Sequence, residues 1–184
     1  MLARICPKVY AFEPNPKLFP MLAAGARANV QCLPYGLSDA DGAADLMVPG
    51  EGVRYSNQGA TLNPAKVLGV KHGTLQIETR RLDSLPLDPV GFVKIDVEGH
   101  ELAVIRGALG LIARDKPTLI VEIEERHMKK PLADALAEII SLGYRLLYLS
   151  ATGLRDGSTY DAGRQAEVRS PRGTMVNDFI FIPG

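Results

Sequence analysis

The chain has 184 residues, 46% of them hydrophobic, with 21 Lys and Arg against 21 Asp and Glu. That length fits a single domain, 1–184, able to bury a sizeable core. A net charge near zero argues against a nucleic-acid binder that relies on counterion release. No apolar run reaches about 18 residues, so no membrane span is expected, and the segment from Met1 to Pro7 is too short and too poorly flanked for a signal peptide. The two cysteines, Cys6 and Cys32, lack metal-like spacing and read as reduced thiols of a cytoplasmic protein.

In chain order, Val9 to Phe12 is a continuous apolar run, as expected of a strand covered on both faces. Pro14 and Pro16 break it. A helix follows with Leu18, Leu22 and Ala26 on one face, starting near Leu18 so that Pro20 falls in its first turn. Val30 to Leu33 is a short strand. Asp39-Ala40-Asp41-Gly42 reads as a turn between Gly36–Ser38 and Ala44–Val48, the arms of an antiparallel excursion. Pro49 to Gly73 has no period, and a loop that long is often functional. Leu75 to Leu82 alternates as a half-exposed strand does.

Gly91 to Asp96 reads as the central strand. A helix with Leu102, Ile105, Leu109 and Ile112 on one stripe is expected after it. Thr118 to Ile123 is a buried strand. Pro131 opens a helix whose stripe is Leu132, Leu136, Ile139 and Ile140, and Gly143 stops it. Tyr144 to Leu149 is a strand, Gly153 to Thr174 is irregular, and Val176 to Ile182 closes the chain as a strand. This alternation predicts an α/β fold, a mostly parallel sheet with helices on both faces. The last strand follows another with no helix between, so it is expected antiparallel, near an edge.

Open α/β sheets bind ligands beyond the carboxyl ends of their strands. Glu13 ends the first strand, and an acid there can accept two hydrogen bonds from a ribose diol. It can equally be a solvated acid at a helix start. Asp96 and Glu98 follow the central strand, two residues apart, and point to one side if strand geometry persists. Either can instead cap the next helix. Lys94, in the same strand, is costly to bury unless paired. His100 is a candidate base within reach of Asp96, or a solvated helix residue. A metal held by Asp96, Glu98 and His100 is a weak reading, because neighbours at one junction rarely converge on one ion. Asn57-Gln58-Gly59-Ala60-Thr61 is a candidate substrate-facing loop. His72 and His127 receive no role.

Four segments carry a resemblance: Phe12-Glu13-Pro14-Asn15-Pro16, Leu37-Ser38-Asp39-Ala40-Asp41-Gly42, Arg81-Leu82-Asp83-Ser84-Leu85 and Val93-Lys94-Ile95-Asp96-Val97-Glu98-Gly99-His100-Glu101. In this order and spacing the chain resembles the FkbM family of S-adenosylmethionine-dependent methyltransferases. The resemblance implies a Rossmann-like methyltransferase sheet, mostly parallel with an antiparallel terminal strand. It implies O-methylation of a hydroxyl on a sugar or natural-product-like acceptor. It places Glu13 and Asn15 at the cofactor ribose, Ser38 and Asp39 near the adenine, Asp96 beside the transferring methyl, and Glu98 and His100 toward the acceptor.

Against the family the sequence departs at its start. Met1 to Cys6 reads as the tail of the helix after the family's glycine-rich cofactor loop, so the first strand and helix are expected to be missing. That strand normally lies between those ending at Glu13 and Asp96. Strands pair only about 4.8 Å apart, so its neighbours are expected to close up, borrow a strand from another chain, as in a homo-oligomer, or stay weakly stable. A fragment with reduced or no activity is one expectation. The alternatives are a nicotinamide-dependent dehydrogenase, which needs the same loop, and a non-catalytic domain binding a glycan or a partner protein.

Overall fold

The computed structural model describes residues 2–51, 54–55, 59–127 and 130–184. The first ladder is β1 (Val9–Phe12) with β2 (Val30–Leu33), parallel and in register from Val9 opposite Val30 to Phe12 opposite Leu33. The connecting α1 (Phe19–Gly25) carries a proline in its first turn and buries no residue. The side chains of β1 are only half-buried, so this strand is not covered on both faces as its apolar run suggested.

A second sheet is built from β3 (Gly36–Leu37), β4 (Gly42–Glu51), β5 (Arg54–Tyr55) and β6 (His72–Arg80), in the order β3-β6-β4-β5. The arms on either side of the Asp39–Gly42 turn do not pair with each other. They flank β6, which takes β3 parallel and β4 antiparallel. Leu46, Val48 and Ile77 form its small core.

The main sheet has five strands: β7 (Phe92–Ile95), β8 (Thr118–Glu122), β9 (Tyr144–Ser150), β10 (Gly153–Asp156) and β11 (Asp178–Pro183). Their order is β10-β9-β11-β8-β7. β7 and β8 are parallel, with Ile95 opposite Val121. β11 is antiparallel, as expected, and it slots between β8 and β9 while β10 forms the edge. Alternate residues of these strands, among them Leu119, Val121, Leu146, Phe179 and Phe181, are buried with Val104, Ile105, Leu111, Leu132 and Ile139 in one core. The helices α2 (Glu101–Arg106), α3 (Leu109–Asp115) and α4 (Leu132–Ile140) therefore pack on one face of the sheet rather than on both. The alternating burial along β8, β9 and β11 records this: every second residue is covered and its neighbours only partly.

The single helix expected after the central strand is two helices, broken at Gly107. The Gly107 carbonyl accepts the Asp83 N–H at 3.0 Å, and the Asp83 carboxylate accepts Gly110 and Leu111 N–H groups, each at 2.8 Å. Asp83 thus caps a new helix where the old one would have continued. The change of direction leaves Leu109 44% exposed, off the buried stripe.

β1 and β7 each pair on one edge, with β2 and with β8. They do not pair with each other. Both line a cavity of about 930 Å³. At the amino ends of the two strands, Lys8 and Tyr10 hold Asp88 at 2.7 and 3.0 Å. Their carboxyl ends carry the acids. Among the described residues no helix is long and apolar enough to cross a membrane.

Candidate active site

The site is built on the turn between β7 and α2. Regular strand geometry stops at Ile95. Glu98 and Gly99 both take left-handed backbone angles, with φ of 57° and 95°. The pleat therefore does not carry through, and Asp96 and Glu98 share a cavity wall because the chain turns, not because they alternate along a strand. A glutamate in this conformation is strained, and the surroundings hold it there. Its backbone carbonyl accepts the Thr61 hydroxyl at 2.7 Å, and its carboxylate is ion-paired to Lys66. Asn63 Nδ2 donates to the Gly99 carbonyl at 3.1 Å and to that of His127 at 2.6 Å. A Cβ at Gly99 would lie 2.9 Å from Asn63 Nδ2 and 3.0 Å from the His127 carbonyl oxygen, so only glycine fits.

Neither Asp96 nor Glu98 caps α2. The buried Glu101 carboxylate instead ties down the turn ahead of the helix, accepting the Gly99 N–H at 2.8 Å. Burial raises its pKa, and bonds from backbone N–H groups oppose the rise. Lys94, expected in a buried strand, is exposed and pairs with Asp178 at 2.6 Å.

His100 lines the cavity. Its Nε2 is 2.9 Å from Ser38 Oγ, which in turn donates to Asp39 at 3.2 Å. The hydrogen-bond partner of His100 is thus Ser38 and not Asp96. Burial lowers its pKa below the ordinary value, with Asp39 pulling the other way, so the imidazole is neutral at neutral pH.

Glu13 also lines the cavity. Its Oε1 accepts the Asn15 N–H at 2.8 Å. Asn15 borders the same cavity but is only 1% exposed. Its Oδ1 accepts the Lys17 N–H at 2.9 Å, and its carbonyl accepts those of Leu18 and Phe19. Its main visible work is to start α1. Gly59, Ala60 and Thr61 of the candidate loop face the cavity, whereas Asn57 and Gln58 lie outside the described residues. Glu13, Asn15, Asp96, Glu98 and His100 are therefore brought to one wall system. Ser38 joins it through His100, and the exposed Asp39 stands behind Ser38.

Sequence reading missed Glu122, Glu124, Lys66 and His127. Glu122 ends β8 beside Asp96, and the strand-end argument that selected Glu13 applied to it as well. Burial, then Asp96, raises the Glu122 pKa to about 7. His127 Nδ1 lies 3.9 Å from Glu98 and 3.8 Å from Glu124, and its pKa is lowered by burial and by Lys66. Contacts of this kind depend on how the segment 59–67 and the turn after β8 fold over the junction, which no local pattern records. Among the described residues no group of three or more His, Cys, Asp and Glu side chains is arranged to hold a metal ion.

Acids at the ends of β1 and β7, a shared cleft and an α/β sheet with an antiparallel closing strand define a protein of the methyltransferase class of folds. The chain belongs to the FkbM methyltransferase family: the family's methyltransferase FkbM domain matches residues 2–146. The fold is similar to the crystal structure of methyltransferase FkbM from Methylobacillus flagellatus KT, with a TM-score of 0.50 and 18% sequence identity. That match covers 95% of this chain and 36% of the other, so this chain spans about a third of that protein's length. Among curated proteins no match is found.

Proposed function

We propose that this domain carries out S-adenosylmethionine-dependent O-methylation of a hydroxyl on a small-molecule or glycan acceptor. The observation that carries this reading is the gathering of Glu13, Asp96, Glu98 and His100 on the wall of one cleft, at the carboxyl ends of β1 and β7. The residues present fit the nucleoside part of the cofactor. The Glu13 carboxylate spends one oxygen on the Asn15 N–H and has acceptor capacity left for a ribose diol. Phe12, Leu37 and Val93 supply apolar wall for a flat base. Asp96 is an anion suited to a sulfonium centre.

S-adenosylmethionine, held through Glu13 and the apolar wall, would supply an electrophilic methyl group. The chain's own residues must orient the hydroxyl and take its proton. Asp96 is exposed at the cavity wall and serves as that proton acceptor. Glu98, neutralised by Lys66, shapes the wall beside it. Neutral His100 donates its Nε2–H to Ser38, whose own proton goes to Asp39, and so keeps Nδ1 to accept a hydrogen bond from the acceptor.

Calorimetric titration with S-adenosylmethionine tests the cofactor half. Glu13→Ala is expected to weaken binding by roughly 1.5–3 kcal/mol, the cost of losing a charged acceptor. Unchanged affinity removes Glu13 from the site. For the chemistry, Asp96→Asn is expected to keep the fold and cut turnover about 10²-fold or more. Turnover that survives both this change and Glu98→Gln would show the acids to be structural.

A further inference from the structure

We infer that Glu122 is a positioning residue for Asp96, the two carboxyl groups sharing one proton that Glu122 holds and donates to Asp96. The inference rests on Asp96 as the proton acceptor in methyl transfer.

Strand register sets the pair up. Ile95 stands opposite Val121 in the parallel β7–β8 ladder, so the next residue on each strand, Asp96 and Glu122, emerges side by side at the carboxyl edge. Both side chains line one small pocket at that edge. A carboxylate is an acceptor only, so two carboxyl groups bond directly only when one keeps its proton. The surroundings decide which. Asp96 is exposed on the large cavity, whereas Glu122 is half-buried and does not line it.

The charges around Glu122 leave its anion only a distant, shared cation. Lys94 Nζ is 3.9 Å from it, but 2.6 Å from Asp178 on β11. Asn177 Nδ2, a neutral donor, reaches Glu122 at 2.6 Å and Glu124 at 3.0 Å. Glu98, Glu101, Glu124 and His127 border the same small pocket as Asp96 and Glu122. Lys66 neutralises Glu98 and Arg126 neutralises Glu124, while His127 is held toward its neutral form. Burial and the neighbouring Asp96 raise Glu122 to about 7.

The consequence is a proton acceptor oriented by its neighbour. At neutral pH and below, Glu122 fixes one lobe of the Asp96 carboxylate and leaves the other toward the cavity. When Glu122 ionises, two anions face each other and Asp96 loses that hold. The hydroxyl proton taken up by Asp96 during transfer returns to solvent through the exposed carboxyl group when the product leaves.

Carboxyl-detected carbon NMR of the whole protein tests the shared proton without any need for turnover. The Glu122 carboxyl is expected to titrate near neutrality, and Asp96→Asn is expected to move its midpoint down by about one pH unit or more. A Glu122 midpoint in the ordinary glutamate range, or one indifferent to Asp96→Asn, overturns the pair. The second measurement is the pH profile of kcat. The unsubstituted protein is expected to lose activity as pH rises through neutrality. Glu122→Gln, which donates an N–H at every pH, is expected to remove that loss while keeping turnover near its neutral value. An identical alkaline limb in Glu122→Gln overturns the positioning role. Absence of methyl transfer at every pH in the unsubstituted protein overturns the enzymatic reading and with it that role, while the titration still decides the pair.

Discussion

Single residues at the β7–α2 turn are held in conformations they would not choose. Gly99 is the clearest, with a positive φ and no room for a Cβ between Asn63 and the His127 carbonyl. Gly99→Ala is expected to cost about 1–3 kcal/mol and to lower the thermal midpoint. A melting curve identical to the parent would show that the turn adapts. Glu122 gives a pH-dependent counterpart. Its folded pKa, about 7, lies above its ordinary value of 4.5. The folded state therefore binds the extra proton, and any contribution from that group is complete below pH 4.5 and lost as pH rises through 7. Glu122→Gln has no such loss. It is expected to raise the thermal midpoint at pH 8 relative to the parent, with a smaller difference at pH 5. An equal shift at both pH values would rule out the ionisation as the cause.

At the scale of elements, the break between α2 and α3 shows how a tertiary contact overrides a helical stripe. Leu102, Ile105, Leu109 and Ile112 lie at helical spacing, yet Asp83 reaches in from another segment and caps α3. Gly107 sits so close to the Ser38 carbonyl that a Cβ there would stand 1.9 Å from its oxygen. Asp83→Ala is expected to cost about 1 kcal/mol through the lost cap. Gly107→Ala is expected to cost about 1–3 kcal/mol or more by overpacking, and to disturb His100 through the Ser38 hydrogen bond. Denaturant titration of both variants checks the order. A Gly107→Ala variant as stable as the parent would mean that α2 and the Ser38 turn move apart freely.

For the molecule as a whole, one side of the candidate site stands on the same sheet that holds the large core. The five-stranded sheet and α2 to α4 supply the large core, where Phe179 and Phe181 are fully buried. Phe179→Ala is expected to cost about 3–5 kcal/mol. The β1–β2 ladder contributes only half-buried residues, and it approaches the main sheet across the cavity rather than through a ladder. Urea titration of Phe179→Ala should show the full loss. A change below about 1 kcal/mol would mean that the two phenylalanines do not anchor the core.

Local pattern determined most of the strands but not β5 or β10, which lie in stretches that read as irregular. Val30 to Leu33 is β2 residue for residue, and the runs at Val9, Phe92, Thr118 and Tyr144 all became strands, because a short β-branched or aromatic run bounded by Gly or Pro has few other uses. The acids at the ends of β1 and β7 were legible for the same reason: a strand end is visible in the chain, and chemistry collects there. Three things were decided only in three dimensions. α2, α3 and α4 cover one face of the main sheet, so burial alternates along β8, β9 and β11, a covering no single element encodes. His100 bonds Ser38 and not Asp96 because α2 packs against the turn after β3. Glu122 meets Asp96 because the crossover through α2 and α3 brings β7 and β8 into register, and the charge of a carboxyl group depends on neighbours that only folding brings within reach.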